Sequence, residues 1–278
     1  MSVNSYLRGL ADSAVIRHSE KESIARSIST LQTRLNYFFG AQLSKHMIFG
    51  SYTRGTILPR SMDRNSDIDY MIVFDDASYK PQTYLNKLRQ FVETYYSRSE
   101  ITQSNPTIVL TLQHIKFELV PAINNFWYGL QIPAKKADSN DWIDTAPNDI
   151  NQTLSSTNQS NNNLIKPMIR LVKYWNACNN YPFASFELEK ELAERSYLWV
   201  GFTSSGQLKD YFFDAIESLT LSWNASQQKQ NALERAKRIV REVKSNLEYG
   251  LEYSAESEIK KLLPELVANN GLLGGLLK

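Results

Sequence analysis

A chain of 278 residues can form one large domain or two small ones, with a core that needs no disulfide or metal staple. Hydrophobic residues at 42% and charged residues at 22% exclude wholesale disorder. The 31 basic and 29 acidic residues leave a net charge of +2, which excludes a protein held to nucleic acid by bulk charge alone.

The first forty residues read as a helix. Leu7, Leu10, Val15, Ile24, Ile28, Leu31, Leu35 and Phe38 recur largely at helical spacing, and Gly40 is a natural stop. From His46 the pattern turns to short β-branched and aromatic runs at 47–49, 68–74, 107–112 and 115–120, with a polar helical segment at 81–97. Helical spacing returns over 148–263. The order is one helix, a mixed sheet with a helix against it, then a helical bundle, which is an α+β pattern. Residues 1–150 and 151–278 are expected as two lobes, with the Asn/Ser/Gln run at 155–163 as the hinge or a surface loop. The single Cys178 cannot form an internal disulfide, and no stretch has the character of a signal peptide or membrane span. Both suit a cytoplasmic protein. The apolar tail at 271–278 is expected to fray.

Chemistry concentrates in two short stretches. In the strand at 67–73, side chains two apart share a face, so Asp67 and Asp69 project together while Ile68 and Tyr70 point away. Adjacent carboxylates call for a counter-charge, and oxygen ligands suit Mg²⁺ or Mn²⁺ rather than zinc. Upstream, Gly50 permits a sharp turn and Ser51 opens a short helix whose N–H groups can face an anion. Arg54, Arg60 and Arg64 follow, either as phosphate partners or as solvated surface arginines. Glu118 interrupts an apolar strand and needs a partner, which is a metal, Lys116, an arginine or water.

In the helical half, Leu164, Met168, Leu171, Val172 and Trp175 form a core stripe. Lys173 lies beside it and either reaches a cleft or snorkels to solvent. Ser185 can cap a helix beginning at Phe186. His18, His46 and His114 are scattered with no paired serine or cysteine, which argues against a hydrolytic triad.

Taken together, Gly50-Ser51-x-x-Arg54-Gly55-Thr56, Asp67-x-Asp69 and Glu118-Leu119-Val120-Pro121-Ala122 resemble the polymerase-β-type nucleotidyltransferases. More narrowly, the chain resembles the bacterial cGAS/DncV-like (CD-NTase, SMODS-domain) group, because 164–176 and Ser185-Phe186-Glu187-Leu188-Glu189 are similar to its lysine helix and its serine–tyrosine…leucine–glutamate step. Glu118 stands where that group usually has aspartate, and Phe186 where it has tyrosine. The resemblance implies a nucleotidyltransferase core lobe and a helical lobe closing the cleft. It implies two Mg²⁺ ions (or Mn²⁺) held by Asp67, Asp69 and Glu118. Gly50, Ser51, Arg54, Lys173 and Ser185 would then face the donor triphosphate, with Phe186 stacking on its base. The implied activity joins NTPs into a cyclic di- or trinucleotide or short oligonucleotide messenger, read by a downstream effector in anti-phage defence. No membrane and no stable nucleic-acid partner are expected. The alternatives are transfer onto an RNA 3′ end or another macromolecule, and a nucleotide sensor without catalysis.

Overall fold

Two helices, not one, open the chain: α1 (Val3–Ser13) and α2 (His18–Phe39). Ser2 caps α1 by accepting from the Ser5 N–H, and the backbone turns extended at Arg17 before α2 begins. The break follows from burial. Val3, Leu7 and Leu10 enter one core while Ile24, Ile28, Leu31 and Leu35 enter another, and one straight helix cannot face both. Gly40, at φ +51°, ends α2 where expected. These elements belong to a computed structural model that describes residues 2–125, 129–135, 141–203 and 206–266; the tail at 271–278 lies outside them.

The α+β arrangement read from the sequence is present. After α2 come β1 (Leu43–Phe49), α3 (Gly50–Arg54), β2 (Asp67–Phe74) and α4 (Pro81–Tyr95). They are followed by β3 (Glu100–Ser104), β4 (Thr107–Thr111), β5 (Lys116–Asn125), β6 (Gly129–Pro133) and β7 (Trp142–Asp144). The sheet runs β1-β2-β5-β4-β3, with β6 and β7 continuing from β5. It is mixed because β2 and β5 are parallel while the other pairs are antiparallel. The short strands β3, β6 and β7 are additions to the runs expected from the sequence.

Period-2 alternation gives the sheet two unlike faces. Ile68, Tyr70, Ile72 and Phe74 of β2, with Phe117, Leu119 and Ile123 of β5, meet α2 and α4 in one buried core. On the other face Met71, Val73 and Ala122 form a small apolar cluster, and the same face carries Asp67, Asp69 and Glu118 towards the strand starts.

The remaining helices are α5 (Asp149–Ser160), α6 (Ile165–Cys178), α7 (Ser185–Glu194), α8 (Leu198–Thr203), α9 (Leu208–Ser218), α10 (Gln227–Glu248) and α11 (Glu252–Leu262). Their core is built around the fully buried Trp175, and α1 joins it, tied by the Tyr6 hydroxyl donating to the Leu263 carbonyl at 2.5 Å. The expected hinge at 155–163 is mostly helix. Leu154 is buried and Thr157 donates to the Ala193 carbonyl, so α5 continues to Ser160 and the bend is confined to Asn161–Asn163. Asn162 and Asn163 there adopt positive φ, a conformation asparagine tolerates. Ile57 enters the sheet core and Leu58 the helical core, so the segment following α3 stitches the two together.

Candidate active site

The parallel pairing of β2 with β5 sets the site. Its register places Asp69 opposite Glu118 and Asp67 opposite Lys116, so the three acids occupy one face of two neighbouring strands. On its other side Asp69 is opposite Phe49, the residue before Gly50. The turn and the acids are thereby joined through a single strand position.

Gly50 has φ +74°, and a Cβ built there would lie 1.8 Å from the Asp69 Oδ2. The glycine is required twice over, by its left-handed backbone and by the carboxylate against its Cα. The turn closes on itself: the Ser51 carbonyl accepts from the Thr56 and Ile57 N–H groups at 3.0 and 3.2 Å, and Thr53 Oγ1 donates to the Gly50 carbonyl at 2.8 Å.

Burial and mutual repulsion dominate the electrostatics. The Asp67 carboxyl is pushed from its ordinary 3.8 to about 8, first by burial and then by the charges of Asp69 and Glu118. Burial and Glu118 push Asp69 to about 6, with Arg54 and Lys173 opposing. This all-oxygen donor set, short of positive charge, fits Mg²⁺ or Mn²⁺. Among the described residues, however, no three such side chains close into a ready-made metal cage. Three like charges drawn together without a cation repel one another.

The raised carboxyls predict a pH effect on the metal-free protein. The folded state keeps protons that the unfolded chain has released between 3.8 and about 8, so these groups withdraw stability as pH rises through that window. In EDTA, wild-type Tm should fall more steeply from pH 5 to 8 than that of Asp67→Asn, and Mg²⁺ should reverse the difference. Parallel thermal-shift curves for the two proteins would contradict this.

Arg54 takes a place the sequence did not show. It is buried at 4% exposure, and its Nε and Nη2 donate to the two Glu189 oxygens at 2.6 and 3.3 Å. Its Nη1 is buried without a hydrogen-bond partner, and its Cζ lies 5.8 Å from the half-exposed Phe186 ring. Lys173 does not snorkel: it is buried on α6 with Nζ 3.7 Å from Glu189. Burial lowers its pKa, against the pull of Glu189. For Glu189, burial alone would raise the carboxyl, but Lys173, Arg54 and Thr56 hold it below its ordinary range. Two bases share this one acid, and the orphaned Arg54 donor suits an anion.

Other residues sort more simply. Ser185 begins α7 rather than capping it; Ala184 is the N-cap and no side-chain cap bond forms. Arg60 hydrogen-bonds the Gln113 and Arg64 carbonyls, away from the knot. His114 does pair with a serine, Ser27 Oγ at 3.0 Å, contrary to the scatter expected from the sequence. That pair lines a shallow cavity against α2 and has no carboxylate partner among the described residues, so no triad results. Tyr181 is a strap: its hydroxyl donates to Asp63 at 2.5 Å and accepts from Asn65 at 3.0 Å. Asn65 in turn accepts from Lys116 at 3.4 Å, beside Asp67.

A "probable cyclic nucleotide synthase" of Bacillus cereus (strain VD146) is 26% identical over 203 residues, 59% of this chain and 60% of that protein. The match thus spans less than two thirds of that relative's length. CdnC of E. coli MS115-1, solved with ATP, superposes with TM-score 0.70 at 12% identity, covering 95% of this chain and 98% of that one. Vibrio cholerae DncV cyclic AMP-GMP synthase, solved with the linear intermediate 5′ pppA(3′,5′)pG, superposes with TM-score 0.73 at 9% identity, covering 94% of each. At such identities the likeness shows a shared fold. Residues 1–158 match the Second Messenger Oligonucleotide or Dinucleotide Synthetase domain, and they contain the turn, both aspartates and Glu118. The chain belongs to that family.

Proposed function

We propose that this chain is a divalent-metal-dependent nucleotidyltransferase that joins NTPs into a cyclic di- or trinucleotide, or a short oligonucleotide, messenger. The observation that carries the reading is the register that sets Asp67, Asp69 and Glu118 on one face beside the Gly50 turn, with the Arg54–Glu189–Lys173 knot nearby. In the reaction a ribose hydroxyl oxygen bonds to the α-phosphorus of a second NTP, the α–β phosphoanhydride breaks, and pyrophosphate leaves.

Asp67, Asp69 and Glu118 would hold Mg²⁺, which when bound would supply the charge that acidifies the attacking hydroxyl and neutralises the leaving group. The chain's own residues position the rest. Gly50 admits the triphosphate close to the backbone, and Ser51 and Ser185 offer hydroxyls. Arg54 and Lys173 offer cations held in a low-dielectric cleft, where they act more strongly than in water. Phe186, half-exposed above Arg54, presents a face for the donor base.

Membership in a second-messenger synthetase family supports a signalling product over transfer onto an RNA 3′ end. The near-neutral charge points the same way. A cytoplasmic site of action, a role in anti-phage defence and an effector that reads the product complete the proposal. Among the described residues no helix is long and apolar enough to cross a membrane.

Mass spectrometry after incubation with Mg²⁺ and each pairwise NTP mixture should find phosphatase-resistant linked nucleotides. Label transferred to tRNA and not between NTPs would favour the alternative, and no product with Mg²⁺ or Mn²⁺ would overturn catalysis.

A further inference from the structure

Glu189 is the most enclosed charged group in the described chain, at 1% exposure, yet it touches neither the acids nor the turn's backbone. Its carboxylate collects three groups from two parts of the fold. Arg54, at the end of α3, gives two hydrogen bonds, and Thr56, just past it, donates from Oγ1 at 2.5 Å. Lys173 approaches from α6 at 3.7 Å. Arg54 and Thr56 bracket the end of the turn that begins at Gly50, whereas Lys173 and Glu189 belong to the helical core. Arg170 on α6 adds a nearby tie, donating to the Gly55 carbonyl at 3.0 Å.

A buried carboxylate is costly to desolvate and needs cationic partners close by. Here the carboxylate has two, Arg54 and Lys173, the cations proposed above to meet the triphosphate. The bidentate bond fixes the guanidinium plane through Nε and Nη2, and so determines where the orphaned Nη1 sits. Two like charges, Arg54 and Lys173, are held in one small volume with Glu189 against both.

We propose that Glu189 is a positioning residue: it clamps the glycine–serine turn to the lysine-bearing helix, setting Arg54 and Lys173 for the donor triphosphate. The proposal rests on the nucleotidyltransferase reading for its consequence, but the clamp itself can be observed without nucleotide.

Two variants test it. Glu189→Gln keeps the shape and removes the charge. Thr56→Val removes one donor to the carboxylate and strands no buried charge, so it serves if Glu189→Gln fails to fold. Hydrogen–deuterium exchange of the free protein should show residues 50–57 exchanging at least about fivefold faster in either variant, with β2 unchanged. KM for the donor NTP should rise about tenfold in Glu189→Gln and about threefold in Thr56→Val, with kcat changed less than KM. Wild-type exchange in the turn, or a loosened turn with unchanged KM, would overturn the proposal. A loosened turn in a protein whose wild type joins no nucleotides would support the clamp and overturn the enzymatic reading instead.

Discussion

Replacing Asp69 by asparagine is expected to lower the rate of nucleotide joining about a thousandfold while the protein stays folded. Asp69 is the hub of the site, with Glu118 opposite on β5, Phe49 opposite on β1 and Gly50 against its carboxylate. The amide is nearly isosteric, so packing against Gly50 survives. What disappears is a charged oxygen ligand at the point where charge must be neutralised in the transition state. The sign on stability is opposite to that on activity. Asp69 sits at about 6 because burial and Glu118 disfavour its charge, so at pH 8 the neutral amide relieves repulsion in the metal-free protein. Initial rates of pyrophosphate release, with thermal shifts in EDTA, check both halves. A variant that loses activity and stability together would point to misfolding and not to a missing ligand.

Gly50→Ala should be nearly as damaging, about a hundredfold in rate, although alanine adds one methyl group and no charge. That methyl would lie 1.8 Å from Asp69 Oδ2, 2.6 Å from its Cγ and 2.9 Å from its Cβ. The turn must move or Asp69 must leave its rotamer. The backbone at φ +74° adds about 1–2 kcal/mol of strain for any residue with a Cβ. Gly55→Ala is the internal control. Its φ is +71° and no atom lies within 4 Å of an added Cβ, so it carries the same backbone strain without the collision. It should lower Tm by roughly 2–6 °C and change the rate less than about threefold. Equal rate losses in the two alanine variants would show that turn strain, and not contact with Asp69, explains the glycine.

The contrast shows what the sequence could carry. Alternation made Asp67 and Asp69 face-mates, because period 2 is written into any strand. That Asp69 stands opposite Glu118 depends on a parallel pairing across some fifty intervening residues, and nothing local specifies it. The need for glycine at position 50 was legible as a turn, but its contact with a carboxylate on the next strand was not. Likewise Arg54 looked like a phosphate ligand or a surface residue, whereas its Nε and Nη2 are taken up by Glu189. Glu189 stood in a motif that was noticed but was given no role. An acid among helix-forming residues looks solvated until the partners from another part of the chain are known. The break between α1 and α2 escaped for a related reason. The residues joining them, Ala14 to Arg17, include no glycine or proline, and only the destinations of the two apolar stripes separate the helices.

Binding of divalent cation by the three acids together, next to the Gly50 turn, is the centre of the proposed chemistry. The most direct measurement is a crystal structure with Mn²⁺ and a non-hydrolysable NTP, read by anomalous scattering. Anomalous peaks ligated by Asp67, Asp69 and Glu118, with the triphosphate running past Gly50 to Arg54 and Lys173, are the predicted result. Nucleotide bound elsewhere, or Mn²⁺ absent from these carboxylates while nucleotide occupies the cleft, would contradict it.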